Sequence, residues 1–375
     1  VKNNDKIIIY GDYDVDGITS TSLLYLFLKD YLDYEVDYYI PDRIEEGYGL
    51  NLNAVEKIID KNYNLMITDD CGIKAYEEIK YARDNGLKVI VTDHHETGDS
   101  LPDANYILNP KIINCSYPFK KLAGVGVAFK LCQGIVKNNE SKIMVSELKD
   151  KLDIVALGTI ADIVSLSGEN RVMVNYGLQL INNNNRLGLN VIRKKLGLNK
   201  KRINTGHIGF IIAPPFNASG RMDSAENGVK LLSSNNEMEV KKIAKKLINL
   251  NKKRKEEEKR TLDEAEEMIE NMDKEKKYAF VLYSNNWHAG VIGIVASRIV
   301  EKYYKPTIML AIDENSKAKG SARSIKNLNL FKSLKEFSER LVNFGGHAQA
   351  AGLTINEEEI KSFEKDFNDY LEKIL

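Results

Sequence analysis

Three aspartates, Asp12, Asp14 and Asp16, fall at every second position in "GDYDVDG", directly after the apolar run "KIIIY". Like charges this close repel, and a folded chain collects them where a cation offsets the repulsion. Two further clusters share the pattern: Asp69 and Asp70 in "ITDDCG", and Asp93, His94 and His95 in "VTDHH". Carboxylates with imidazole suit Mn²⁺, Mg²⁺ or a related divalent ion, and no zinc-like cysteine spacing accompanies them. With so many acids one ion leaves charge uncompensated, so two are expected, about 3.5–4 Å apart as in phosphate-ester hydrolysis. A calcium-binding EF-hand is the rival reading of an alternating aspartate run. It needs a glutamate at the twelfth loop position and a preceding helix. Leu23 occupies that position, after an expected strand. Alone, Asp69–Asp70 could be a solvated turn and the paired histidines a packing feature. Their recurrence after successive apolar runs is what argues for a site.

The elements that must position these groups alternate. Lys6–Tyr10 is a short β-branched run, suited to a strand buried on both faces. A helix is expected from about Ile18 to Leu32, then a strand in "EVDYYIP" closed by Pro41. A third strand, Asn64–Thr68, precedes a helix through "AYEEIKYARDNG" that ends on Gly86, and Leu87–Thr92 is a fourth. Alternating strand and helix predict an α/β fold with a doubly wound, mainly parallel sheet. Each acidic cluster then stands at the carboxyl end of a strand, along the edge where such sheets bind ligands.

Bulk properties bound the rest. A chain of 375 residues, 43% hydrophobic and 29% charged, is expected to form two globular domains. Lys plus Arg and Asp plus Glu both number 54, so net charge gives no sign of a nucleic-acid partner, although a basic cleft can be balanced by an acidic site. Cys71, Cys115 and Cys132 are odd in number and form no disulfide framework. No apolar run reaches membrane-spanning length and no signal peptide is visible, so a reduced cytoplasm is the expected location. Val1 stands only a few residues before an expected core strand, so trimming at the N-terminus, and at the C-terminus too, is the expectation.

Beyond about residue 170 the character changes. "LINNNNRLGLN" is a polar break. Ala213–Leu232 carries paired prolines, small residues and Arg221, read as a small-residue loop whose arginine either clamps a phosphate or is simply exposed. Residues 236–274 lack Gly and Pro and are read as one long helix, basic and then acidic, with the domain boundary along it. A smaller α/β domain, 275–375, is expected to follow. Its strands are Tyr278–Ser284 and "TIMLAID", with a helix between them, and "KGSARSI" and "FGGHAQAAGLTI" are read as small-residue turns around Arg323 and His347. Gly345 and Gly346 would let a ligand approach the backbone. His207, in "NTGHIGF", is read as structural. By composition alone Asp162, in "KLDIVALGTIADIVSL", could be no more than a helix-terminal acid.

"GDYDVDGITS", "ITDDCG", "VTDHH" and "GTIADIVSL", in this order, resemble the DHH phosphoesterases, and among them the RecJ group of single-strand-specific exonucleases. "WHAGVIGIVASR", "GSARS" and "FGGHAQAAG" resemble the DHHA1 domain paired with DHH in that group. The resemblance covers nearly the whole chain. It implies a DHH domain (1–235), a connecting helix (236–274) and a DHHA1 domain (275–375). It implies that Asp12, Asp14, Asp16, Asp70, His94 and Asp162 hold two Mn²⁺ or Mg²⁺ ions, with Asp12 the least direct. His95 would face the scissile phosphate, with Asp93 orienting the histidines. Asp69 stands where the family more often has an apolar residue and is left out. Arg221, His288, Arg298, Arg323, Gly345, Gly346 and His347 would bind substrate, although Arg298 could instead be a salt-bridged helix arginine. The implied activity is hydrolysis of single-stranded DNA, 5′ to 3′, by metal-activated water, in DNA repair and recombination, by a monomer. Two rivals are a phosphodiesterase or phosphatase for short RNA, pAp or cyclic dinucleotides, and a non-catalytic DNA-binding replication scaffold. Short-substrate relatives usually begin their first motif with histidine; here Asp-Tyr-Asp-Val-Asp stands there, and no acidic motif is lost.

Overall fold

A computed structural model describes residues 5–138 and 146–375, in two compact units, Val1–Asn251 and Lys252–Leu375. The first is built on a five-stranded, wholly parallel sheet A of order β2-β1-β3-β4-β5. Its strands are β1 (Ile7–Gly11), β2 (Val36–Tyr39), β3 (Leu65–Asp69), β4 (Lys88–Thr92) and β5 (Tyr106–Leu108). Side chains of β1 alternate between two cores, as a strand's period of two requires. Ile7 and Ile9 join α1 (Val15–Leu32), α4 (Gly124–Asn138) and α5 (Leu152–Ala161) in one core. Ile8 and Tyr10 join α2 (Leu52–Asp60) and α3 (Tyr76–Asp84) in the other. Helices on both faces make the sheet doubly wound.

Register brings the acidic motifs together. Gly11 pairs with Asp69, and Asp69 with Thr92, so β1, β3 and β4 end at one level. Asp12, Asp70 and Asp93 are the next residues along each strand, and they share one edge of the sheet.

The second unit carries sheet B, of order β6-β7-β8-β10-β9. Here β6 (Phe280–Ser284) and β7 (Thr307–Ile312) pair parallel, while β8 (Lys317–Arg323), β10 (Ala350–Asn356) and β9 (Leu341–Gly346) pair antiparallel. The helix Glu237–Glu270 runs through the division between the units. Glu258 on it is buried between Arg254, at 2.7 Å, and Arg298, and Trp287 Nε1 donates to Glu264 at 2.7 Å.

Several expectations need correcting. Ala213–Met222, read as a loop around Arg221, is a helix: its prolines stand in the first turn, where a missing N–H costs nothing. "KGSAR" is strand β8 and Gly345–Gly346 end strand β9, so the small residues there are strand residues rather than turns. Gly320 shows why: a Cβ on it would come within 2.7 Å of Leu310 and 2.8 Å of Leu353. α1 begins three residues before Ile18, because Asp14 caps it. The long helix stops at Glu270 rather than 274, and α2 and β5 have no counterpart in the sequence reading.

Candidate metal centre

Asp14 is the N-cap of α1: its side chain accepts from Asp16 N at 2.8 Å and Gly17 N at 3.1 Å. Asp16, in the first turn, is buried and accepts from Gly124 N at 2.6 Å and Val125 N at 2.9 Å, so its charge lies at the amino end of α4. Gly124 is required by close approach, since a Cβ there would lie 2.7 Å from Asp70 Oδ1. Asp70 holds its carboxylate in place from a left-handed backbone (φ 57) that aspartate tolerates better than most residues. Asp162 follows the last turn of α5, its N–H bonded back to Gly158 O.

His94 Nε2 is the hub. It lies 3.1 Å from Asp70 Oδ1, 3.7 Å from Asp162 Oδ2 and 3.8 Å from Asp16 Oδ2. Its Nδ1 sits 3.1 Å from the Leu122 carbonyl, which only a proton on Nδ1 can satisfy, leaving the Nε2 lone pair turned toward the acids. His95 Nδ1 donates to Asp93 Oδ1 at 2.8 Å. Asp93 also accepts from the backbone N–H of His94 (2.7 Å), His95 (3.0 Å) and Ile73 (3.0 Å). Asp93 therefore shapes the loop and aims the His95 ring, and its own oxygens are already engaged.

Donor atoms of Asp12, Asp14 and Asp70, of Asp16, His94 and Asp162, and of Asp70, His94 and His95 form three overlapping groups, the atoms of each within 4.8 Å of one another. Burial, and then the neighbouring aspartates, push the carboxyls of Asp12, Asp16 and Asp70 well above the carboxylate range, and Asp162 up to about 7. Burial and then His95 bring His94 down to about 4. Burial opposes it, but the Asp93 hydrogen bond and charge raise His95. Asp12 Oδ1, Asp70 Oδ1 and Asp162 Oδ2 are buried with no hydrogen-bond partner, a costly state for an acid. Oxygen-rich, with three of its oxygens lacking a partner and with one imidazole lone pair, the set fits hard divalent cations.

Residues 6–159 match the DHH family, N-terminal domain, and residues 275–373 match the DHHA1 domain. A crystal structure of exonuclease RecJ bound to manganese superposes at a TM-score of 0.86 with 32% identity, covering 98% of this chain and 90% of that one. The chain belongs to the RecJ family of DHH phosphoesterases. The single-stranded-DNA-specific exonuclease RecJ of Bacillus subtilis (strain 168) is 44% identical over all of this chain and 47% of its own length. RecJ of Escherichia coli (strain K12) is 36% identical over 98% of this chain and 66% of its own. The chain thus spans about half to two thirds of the length of these curated relatives.

Within this RecJ-type site, Asp69 stands apart from the candidate metal groups. It is buried, accepts from Thr21 Oγ1 at 2.9 Å, and ties β3 to α1. Arg221 lies on its helix close enough to lower the Tyr13 hydroxyl, against the larger upward push of burial and Asp12. Sequence reasoning missed the segment Pro41–Leu50. Arg43 stacks over Tyr13 at 4.8 Å, and Tyr48 meets the His95 ring edge-on at 5.9 Å. The signal was available: "EGYG" sets an aromatic between two glycines.

In the second unit His288 caps the helix Ala289–Tyr303, its Nδ1 accepting from Gly290 N at 3.0 Å, so its proton is on Nε2. Arg323 donates to Ser321 Oγ at 3.0 Å, beside Gly293, where a Cβ would come within 2.7 Å of that oxygen. His347 N closes the β9–β10 hairpin on Ala350 O at 2.8 Å, and Gly346 takes φ 143 there. Arg298 pairs with buried Glu258, the salt-bridged arrangement weighed against substrate binding. His207 belongs to a capping box with Asn204.

Proposed function

We propose that this chain is the catalytic portion of a metal-dependent exonuclease that hydrolyses single-stranded DNA in repair and recombination. The supporting observation is the set of buried, partnerless carboxylate oxygens converging with His94 Nε2 at the carboxyl edge of sheet A. Asp12, Asp14, Asp16, Asp70, His94 and Asp162 hold two Mn²⁺ or Mg²⁺ ions. Such a pair lowers the pKa of attacking water and neutralises charge gathering on the phosphoryl oxygens. Everything else falls to the chain. Asp93 fixes His95 with Nδ1 protonated and its charge favours the cationic ring, which suits a group facing a phosphate. Leu122 O fixes His94 in the tautomer a metal needs. The DHHA1 domain grips the strand through Ser321, Arg323, His288 and His347, with Gly345 and Gly346 giving access to the backbone. Digestion runs 5′ to 3′, and the enzyme acts as a cytoplasmic monomer. Its relatives named as single-stranded-DNA-specific exonucleases, and their manganese- and magnesium-bound structures, support this reading.

A labelled single strand, the matching duplex and a dinucleotide, each with Mn²⁺, test it. The single strand should be degraded progressively from one end to mononucleotides, and binding should weaken with salt as phosphate contacts release counterions. Rapid cleavage of the dinucleotide with the long strand left intact would transfer the site to the short-substrate class.

A further inference from the structure

We propose that Lys111 is a further substrate-binding residue of this site: its ammonium leaves Glu96 and pairs with the first phosphate on the retained side of the scissile one. This rests on the single-strand reading above.

Strand β5 ends on the same edge as the acidic motifs but delivers a cation there. Leu108 pairs with Thr92, and Asp93 N donates to Leu108 O at 3.0 Å, so Asn109 stands level with Asp93. Asn109 is buried. Its Nδ2 donates to His95 O at 2.9 Å, and its Oδ1 accepts from Lys111 N at 2.8 Å. One side chain thus fixes both the backbone that carries His95 and the backbone that carries Lys111. The lysine charge reaches the metal groups. Against the larger upward push of burial and Asp14, it joins His95 in holding the Asp162 carboxyl down, and after burial and His95 it lowers His94.

The partner Lys111 has in this structure holds it weakly. Its Nζ lies 3.1 Å from Glu96 Oε1, and the side chains are 30% and 78% exposed. An ion pair so open to water contributes little, so a phosphate displaces the glutamate at small cost. The scissile phosphate is already served, because the two cations and His95 take its oxygens in the reading above. Its neighbours on the strand bring full negative charges of their own. An ammonium on a flexible four-carbon stem meets such a phosphate as a point charge, without a demanding geometry. In a strand shortened one nucleotide at a time, the first retained phosphate becomes scissile at the following step. Held close to Asp162 and His94, it waits beside the ions that will act on it. The contact ignores the base and so works on any sequence.

The test is single-strand binding with Ca²⁺ replacing Mn²⁺, on strands whose first retained linkage is either a phosphodiester or an uncharged methylphosphonate. The parent protein should bind the uncharged strand about tenfold more weakly. Lys111→Met should bind the ordinary strand weaker by a similar factor and show little further loss on the uncharged one, because the two changes remove the same pair. Its plot of log affinity against log salt should lose about 0.7 of its slope. Lys111→Arg keeps the charge and should keep the penalty. Glu96→Gln releases the lysine and should tighten binding of the ordinary strand by about twofold or more. Calorimetric Mn²⁺ titration should give parent-like stoichiometry for all three variants. The phosphate contact is overturned if Lys111→Met keeps the full methylphosphonate penalty, if Lys111→Arg loses it, or if Lys111→Met loses a metal equivalent yet binds the strand normally. The exchange with Glu96 is overturned if Glu96→Gln binds no tighter than the parent. A parent protein that binds no single strand overturns the single-strand reading itself, and this contact with it; that outcome is read from the parent alone.

Discussion

At the edge of sheet A the candidate groups are carboxylates beside His94 and His95, three of the carboxylates with a buried oxygen lacking a partner, whereas on sheet B they are cations, imidazoles, a hydroxyl and glycines, several already hydrogen-bonded to their own strand or helix. Burying several acids with orphaned oxygens is costly unless a cation joins them, and beside an imidazole lone pair the first arrangement suits a metal. The second is satisfied as it stands and carries no carboxylate for a hard cation. Its chemistry suits an anion that arrives from outside. The difference separates chemistry from grip: losses at the first site should be absolute, and losses at the second graded.

The sharpest break of this contrast is Asp70→Asn, which keeps a residue tolerant of φ 57 but removes a charge shared by two of the candidate metal groups. Hydrolysis should be abolished in a folded protein, and Asp14→Ala should behave alike. With metal absent, melting temperature should hold or rise in Asp70→Asn, because repulsion among the remaining acids is relieved, whereas Asp14→Ala also loses the cap of α1 and should gain less or fall. Mn²⁺-dependent turnover surviving in both variants would contradict the assignment.

Arg323→Ala should be milder. Misplacing a bound strand can cost about 10²-fold in rate, and Mn²⁺ stoichiometry should match the parent. Binding of a single strand, with Ca²⁺ replacing Mn²⁺ to slow cleavage, should weaken. Loss of a metal equivalent with normal strand binding would erase the distinction between the two sheets.

Smallest in size is the pH dependence of stability without metal. Asp12, Asp16 and Asp70 titrate well above, and Asp162 at about 7 against, the usual carboxylate range. A carboxyl with its folded pKa raised contributes stability that is full below the unfolded value, about 3.9, and lost as pH rises through the folded value. Melting temperature in a chelator should therefore fall between about pH 5 and about pH 8, and Mn²⁺ should reverse the fall, since a ligand at 100 times its Kd adds about 2.7 kcal/mol. A melting temperature that rises with pH in the chelator would show that these acids are not forced together.

Sheet A was readable because its central strands are apolar runs, and because three acidic motifs directly follow β1, β3 and β4. Asp12, Asp70 and Asp93 could be placed on one edge before any register was known. The second unit was harder. Small residues in "KGSAR" lie on a central strand where side chains of Leu310 and Leu353 crowd them, and composition alone makes such a segment look like a turn. The paired prolines beside Arg221 misled in the same way, since proline opens helices as well as loops. Asp162 needed the family resemblance, because the end of α5 carries no local sign of what it faces. The Leu122 carbonyl that sets the His94 tautomer, and the placing of Tyr48 on His95, are contacts between distant segments with no sequence period behind them.

The most direct test of the central claim is calorimetric titration of Mn²⁺ into the metal-free protein, beside Asp70→Asn. Two equivalents are predicted for the parent, and loss of at least one, together with all hydrolysis, for the variant. A parent that takes up no Mn²⁺, or an Asp70→Asn protein that takes up two as the parent does, would contradict the account.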